Sequence, residues 1–398
     1  MFTIKINNTL ILAIGVFSII NTEMGVIGIL PLIADYYHVS ISSAGLLVSL
    51  FALAVAIAGP TLPLLFSRFN RKKIMILVLS AFMLSNLLSV FTDNFTVLLV
   101  ARVLPAFLHP VYVSMAFALA TAGAAPGQEG KAAATIMVGV SAGMVLGVPM
   151  VSTISSSVSL QAGMLFFTFV SALALLLTII FIPSIPVRER LSYSSQLRVL
   201  KEKPVLLAIV GVIFLNGSIF GVYSYLAEYL GRIMQMPAMT INILLMGYGL
   251  ANIVGNIIGG RLLDRYANSC IAFFPVLLIG CYLALFVSGN ISGLAIAMIV
   301  LWGVLAGVSG NINQYWIVNA APEVPDFANG LFLVAANLGT TMGALVCGAF
   351  ISGMGTQYII WGGILFAVLS WGVALVGSAD NIRAMRKIVQ SRVVGRKI

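Results

Sequence analysis

Glu23, Arg102 and His109 are a carboxylate, a guanidinium and an imidazole set inside long apolar stretches. Groups of these types can hold a proton and pass it on. Burial makes a carboxylate hold its proton more tightly, and a nearby arginine makes it let go. An imidazole in water changes charge near pH 6.5. An acid placed between burial and an arginine is loaded or discharged by any change in its exposure or in that distance. Glu23 therefore reads as a proton carrier and Arg102 as its charge partner rather than a substrate clamp. His109 reads either as a proton relay or as a neutral, hydrogen-bonded packing residue. The plain structural alternative is a permanent Glu23–Arg102 ion pair joining two helices.

What positions these groups follows from composition. The chain is 61% hydrophobic and 8% charged, with mean hydropathy +1.10. An ordinary soluble protein is about 25% charged, so a soluble domain is excluded. Apolar runs of about 20 residues read as membrane-spanning helices. Twelve are expected, near 9–34, 42–66, 73–91, 95–122, 131–155, 162–183, 205–231, 239–263, 270–288, 292–320, 327–352 and 358–377. A β-barrel would instead need strands of about 10 residues with alternating polarity. The fold class is thus an all-α polytopic membrane protein.

The net charge of +10 resembles a nucleic-acid signal, but its placement excludes that partner. All the lysines and arginines but Arg102, within the fourth span, and Arg232, in an outside loop, gather at the N-terminus, in alternate loops (Arg68, Arg71, Lys72, Lys73; Lys131; Arg188 to Lys203; Arg261, Arg265) and in the C-terminal tail. By the positive-inside rule that side is cytoplasmic, and both termini lie there. The first span has no small-residue cleavage site and reads as a retained helix. Cys270, Cys281 and Cys347 suggest neither a disulfide framework nor a metal site. Glu23 then lies roughly 15 Å from the outer end of the first span, and Arg102 roughly 10 Å from the outer end of the fourth. Residues 102, 106 and 109 follow i, i+4, i+7, which puts Arg102 and His109 on one face of an unbroken helix.

A polar segment at 184–204 divides the spans six and six: one half at 1–183, a cytoplasmic connector, a second half at 205–377, and a basic tail at 378–398. Shifted by about 197 residues, 51–70 lies over 248–267, so that Leu53, Ala54, Leu65 and Arg68 meet Leu250, Ala251, Leu262 and Arg265. Internal repeats of this kind mark transporters, with the substrate site between the repeats near the midplane. Small residues at i, i+4, i+8 form stripes: Gly139, Gly143, Gly147; Gly247, Ala251, Gly255, Gly259; Ala335, Gly339, Gly343, Cys347. Such stripes let membrane helices approach closely; each alone reads equally as plain helix packing, and the three together favour a moving seam between the halves.

These residues also carry a family resemblance. "GPTLPLLFSRFNRKK" (59–73) resembles the loop signature of the major facilitator superfamily, and "GGRLLDR" (259–265) its second copy. "RVLPAF" resembles the motif of its fourth helix, and "GVSAGMVLGVP" (139–149) the fifth-helix motif of antiporters. "TEMGVIGILPLIAD", "HVSISSAGLLVSLFALA" and "ANLGTTMGALVCG" resemble the drug:proton antiporter branch, in particular bacterial sugar and purine efflux permeases. The resemblance implies a twelve-helix, two-lobed fold in the bacterial inner membrane, in which helices 1, 4, 7 and 10 line a central cavity. It implies a monomer that exchanges protons for a sugar, a purine or nucleoside, or a drug, with the proton gradient as sole energy source and no cofactor. Substrate-binding groups would be Asn21, Asn216, Tyr223, Tyr225, Asn311, Gln314 and Asn337. Gating residues would be Arg68, Arg71, Asp264, Arg265, Gly143, Gly147 and Pro149. The chain departs from the family pattern at Ser67, where an aspartate is usual, at Asn70 and Ala106, where glycines are usual, and at Glu228, where proline is common; Glu228 is expected to be solvated near the outer mouth.

Two rival readings remain. One is uptake by symport on the same fold. The other is an intramembrane serine protease at Ser309, within "GVSG" (307–310), which needs a histidine base within reach. Replacing Ser309 by Ala separates them: a transporter keeps solute flux in reconstituted vesicles, and a protease loses all activity.

Overall fold

The computed structural model describes residues 8–125, 128–184, 196–288 and 292–394. Lys5, Arg188, Arg190, Arg396 and Lys397 lie outside the described residues, as do the side chains of the tail from 378 onward. Among the described residues every regular element is helical. The spans are α1 (Asn8–Tyr36), α2 (Ile41–Ala58), α3 (Arg71–Phe91), α4 (Phe95–Ala122), α5 (Lys131–Ser157), α6 (Leu160–Phe181) and α7 (Lys203–Arg232). A 51-residue helix, Ala238–Ser288, follows, and then three more spans. At 1.5 Å per residue it would be about 76 Å long, more than twice the roughly 30 Å of a hydrocarbon core. It bends at Tyr266, whose φ of −135° and ψ of 31° are not helical. The bend follows Arg261, Asp264 and Arg265, the charged turn that separates the two expected spans. Its limbs are α8 (238–265) and α9 (267–288). The last three are α10 (Gly293–Ala320), α11 (Phe327–Met354) and α12 (Thr356–Gly377). The twelve expected spans are therefore all present.

The glycine stripes pack differently from the expectation. A methyl group at Gly139 would meet the backbone of Ala13, and one at Gly143 would meet Ile20, both on α1. Gly255 and Gly259 of α8 press on Val304 and Val308 of α10. Gly339 and Gly343 of α11 press on Ile213 and Gly217 of α7. Each stripe thus joins two helices of the same half instead of lining the seam. The physical reason is that close approach favours surfaces that stay in contact, where tight dispersion contact between backbones replaces the hydrophobic drive that lipid removes.

The seam is made by α2 against α11 and α5 against α8, and its bonds are polar. Ser42 Oγ donates to the Gly348 carbonyl at 2.6 Å and lies 2.6 Å from Ser352 Oγ. Thr341 Oγ1 donates to the Ser49 carbonyl at 3.2 Å. Ser152 Oγ donates to Asn242 Oδ1 at 2.5 Å, and Asn242 Nδ2 to Ser156 Oγ at 3.1 Å. These contacts gather in the part of the molecule away from the basic loops. Tyr225 of α7 is wedged there: its hydroxyl donates to the Ala344 carbonyl at 3.0 Å and fills the space left by Gly45 of α2 and Gly348 of α11. It fills the seam at the end away from the basic loops. Glu228, one turn further out, is buried rather than solvated, with its carboxylate 2.8 Å from Arg232 Nε.

Gly343→Ala forces apart the α7 and α11 backbones and should cost about 1–3 kcal/mol of stability. Gly247→Ala meets nothing within 4 Å and should instead stabilise by about 0.5–1 kcal/mol through helix propensity. Thermal unfolding in detergent compares the two. Tyr225→Ala should loosen the outer closure. In a Ser42→Cys background it should raise labelling by a membrane-impermeant maleimide several-fold.

Candidate functional site

Local sequence breaks two helices where the charged groups sit. α1 runs regularly to Gly25, tightens into a 3-10 turn over Val26–Ile29, and resumes at Leu30 with Pro31 in its first turn. Glu23 occupies the last regular turn before the break. α4 is interrupted at Phe107 and Leu108 between Phe95–Ala106 and His109–Ala122, with Pro105 before the gap and Pro110 after it. Proline lacks the N–H that would continue the ladder. Inside a membrane such breaks persist only where protein covers them or water reaches them, and in transporters they border the substrate path.

The two breaks face each other. His109 Nε2 lies 3.3 Å from Glu23 Oε2, and the two side chains are only 10% and 9% exposed. The pair is within ionic reach but is not aligned as a hydrogen bond, since neither imidazole nitrogen has a hydrogen-bond partner. The phenyl ring of Phe51 packs edge-on to the imidazole at 6.3 Å.

Arg102, 2% exposed, is aimed elsewhere. Its guanidinium donates to the carbonyl of Thr22 and lies 5.3 Å from the centre of the Phe167 ring. The expected Glu23–Arg102 partnership is thus replaced by Glu23–His109. The reason is local: the change from α to 3-10 bonding after Glu23 leaves carbonyl acceptors over in the preceding turn. Arg102 therefore sits one residue from the acid along α1, bound to backbone.

Behind the acid lies a polar network that sequence reasoning misses. Asn86 Nδ2 donates to Thr22 Oγ1 at 3.1 Å and to Ser171 Oγ at 3.2 Å, and Ser18 Oγ donates to Ser171 Oγ at 3.1 Å. It pins α1 to α3 and α6. The available signal is Asn86 itself, an amide in an otherwise apolar span outside the four cavity helices.

The expected substrate groups scatter. Asn21 is fully buried against Gly147, and neither of its amide atoms has a hydrogen-bond partner. Asn216 donates to the Ala336 carbonyl at 2.6 Å and to Thr340 Oγ1 at 3.0 Å, and accepts from Asn313 at 3.4 Å. Tyr223 stacks on Tyr248 at 4.6 Å, with Trp302 edge-on to both. Asn311 bonds the Asn256 carbonyl at 2.8 Å and so joins α10 to α8. Gln314 bonds Asn329 at 2.9 Å. Asn337 bonds Leu333 of its own helix at 2.9 Å. Asn216 and Asn313 pair α7 with α10, as Asn311 and Asn256 pair α10 with α8 and Gln314 and Asn329 pair α10 with α11. Among the expected gating residues, Pro149 lies within α5 without ending it. Arg265 lies over the Tyr266 ring at 5.4 Å, and Asp264 is exposed. Ser309 is buried in α10 with no hydrogen-bond partner for its hydroxyl.

Known proteins agree with this architecture. The inner membrane transport protein YdhP of Escherichia coli (strain K12) is 29% identical over 369 residues, covering 92% of this chain and 95% of the relative. The MFS-type transporter YtbD of Bacillus subtilis (strain 168), itself described as uncharacterized, is 29% identical over 367 residues, covering 90% and 92%. A bacterial homologue of the human lysosomal transporter Spinster, inward-facing and occupied, superposes with TM-score 0.78 at 17% identity, covering 94% of this chain and 96% of that one. The nucleoside transporter NupG superposes with TM-score 0.77 at 14% identity, covering 93% and 97%. None of these relatives supports the protease reading. The sequence profile of the Major Facilitator Superfamily matches residues 12–344, and the chain belongs to that superfamily.

Proposed function

We propose that this membrane transporter exports a small organic solute in exchange for protons across the bacterial inner membrane. The observation that carries the reading is the 3.3 Å approach of Glu23 and His109 across two broken helices. A charge at the bilayer centre costs at least about 2.5–3.5 kcal/mol, so an acid and a base brought this close there are expected to have a use. The pair has two states of equal net charge: a neutral acid beside a neutral imidazole, or a carboxylate beside an imidazolium after one proton passes from Oε2 to Nε2. A further proton makes the pair cationic. Arg102, fixed on the Thr22 carbonyl, repels that extra charge and favours its release.

With the outer end closed, a solute reaches the centre from the side of the basic loops. By the charge rule that side is cytoplasmic. Asn216 and Asn313 are the best placed of the polar groups to meet it, since they can exchange their mutual bond for one to a ligand. Its departure outward and the arrival of a proton at Glu23 from outside complete the exchange. The fifth-helix motif around Gly143 and Gly147, and the resemblance to sugar and purine efflux permeases, favour export over uptake. The energy source is the proton gradient alone, and the working unit is a monomer.

A thermal-shift screen over sugars, nucleosides and lipophilic drugs identifies a ligand. Flux of that ligand in vesicles under an imposed pH gradient then tests the mechanism. Glu23→Gln should abolish gradient-driven flux, leave ligand exchange at equal pH, and move the unfolding midpoint little. Retained gradient-driven flux in the variant sinks the proposal. Accumulation of ligand together with protons would assign uptake instead.

A further inference from the structure

The two halves carry the same loop with different charge. On the internal repeat, 64–73 lies over 261–270, so that Ser67 meets Asp264 and Arg68 meets Arg265. The second-half loop holds two cations, Arg261 and Arg265, around one carboxylate. The first-half loop holds four cations, Arg68, Arg71, Lys72 and Lys73, and the chain has no Asp or Glu between Asp35 and Asp93. Among the described residues none of the four makes an ion pair. Lys72 Nζ donates to the Ile179 carbonyl at 2.8 Å, at the end of α6. Arg68 and Lys73 are exposed and Arg71 is half-buried.

The backbone beneath them is ordered. Leu62–Phe66 forms a short helix. Ser67 Oγ bonds the Leu64 carbonyl at 2.6 Å. Asn70 accepts from the Lys73 amide at 3.3 Å and donates to Ser184 Oγ at 2.7 Å. Beside the cations, Leu65 and Phe69 are each 56% exposed, and the Phe66 ring lies 6.2 Å from that of Phe69. The loop stands where α3 enters the bilayer, below the exposed Leu77, Leu84 and Leu88 of the same helix.

Setting the orientation of the chain requires only positive charge on one side, and the other basic loops supply it. It does not require exposed apolar side chains next to the cations, a fixed backbone, or the loss of the carboxylate kept in the second copy. The combination matches a ligand with a negative head and apolar tails, met at the membrane boundary. We propose that residues 65–73 form a binding site for an anionic phospholipid. Arg68, Arg71 and Lys73 hold its phosphate, and Leu65 and Phe69 lie along its chains. Among the described residues no carboxylate pairs with the cationic end, and the lipid neutralises it.

Native mass spectrometry of the full chain in detergent, titrated with phosphatidylglycerol or phosphatidylcholine, tests this. One phosphatidylglycerol should be retained in preference to phosphatidylcholine. Each cation near the surface should contribute about fivefold, so R71Q/K73Q should weaken retention about twentyfold, while R261Q/R265Q in the second loop should leave it unchanged. S67D, which restores the carboxylate of the second copy and keeps every cation, should weaken it several-fold and serves alone if the double variant does not fold. R71K/K73R should bind as the natural chain does. Equal retention of the two lipids, equal loss from both loop variants, or displacement by millimolar glycerol phosphate would overturn the proposal.

Discussion

A peptide group inside a bilayer has no water to bond, and this constraint decides what the chain can do at its centre. It forces twelve helices out of an apolar sequence, and it makes each interruption of a helix conspicuous. The breaks after Glu23 and before His109 survive because protein covers them. Arg102 takes up the Thr22 carbonyl at one break, and the network of Asn86, Thr22, Ser18 and Ser171 holds the adjoining turn in place. The acid and the imidazole are therefore held on ordered backbone, although both sit at helix ends.

Much of this is legible in the amino-acid sequence. Charge placement, span length and the 197-residue repeat fix the number of spans and the two halves. Glu23, Arg102 and His109 stand out because ionisable groups are rare in apolar runs, and they do meet around one turn of α1. What periodicity cannot supply is the pairing inside the group. An i, i+4, i+7 pattern puts Arg102 and His109 on one face, and both do reach α1, at the Thr22 carbonyl and at Glu23, but it does not say which of them takes the acid.

The glycine stripes show a second limit of the same kind. A stripe of small residues says that a helix surface is closely approached, but it does not say by which neighbour. Here α1, α7 and α10 are the neighbours, all within the same half as the stripe they touch. Amides are equally ambiguous. Asn216, Asn313 and Asn311 bridge helices, whereas Asn337 serves its own helix. In a chain this apolar, an asparagine marks a junction of some sort, and only the packing says which junction.

The distribution of bonds between the halves has a mechanical consequence. Close backbone packing recurs within each half and at one point of the seam, where Gly249 of α8 meets Val145 of α5, while the hydrogen bonds described across the seam come from hydroxyls and one amide: Ser42, Ser152, Ser156, Thr341 and Asn242. Side-chain hydrogen bonds between membrane helices are worth only about 0.6 kcal/mol on average. A serine hydroxyl freed from a carbonyl can also turn to water, acting as donor or acceptor as the new neighbour requires. The outer closure is thus a zipper whose teeth water can replace one at a time, and opening it requires no rearrangement inside either half.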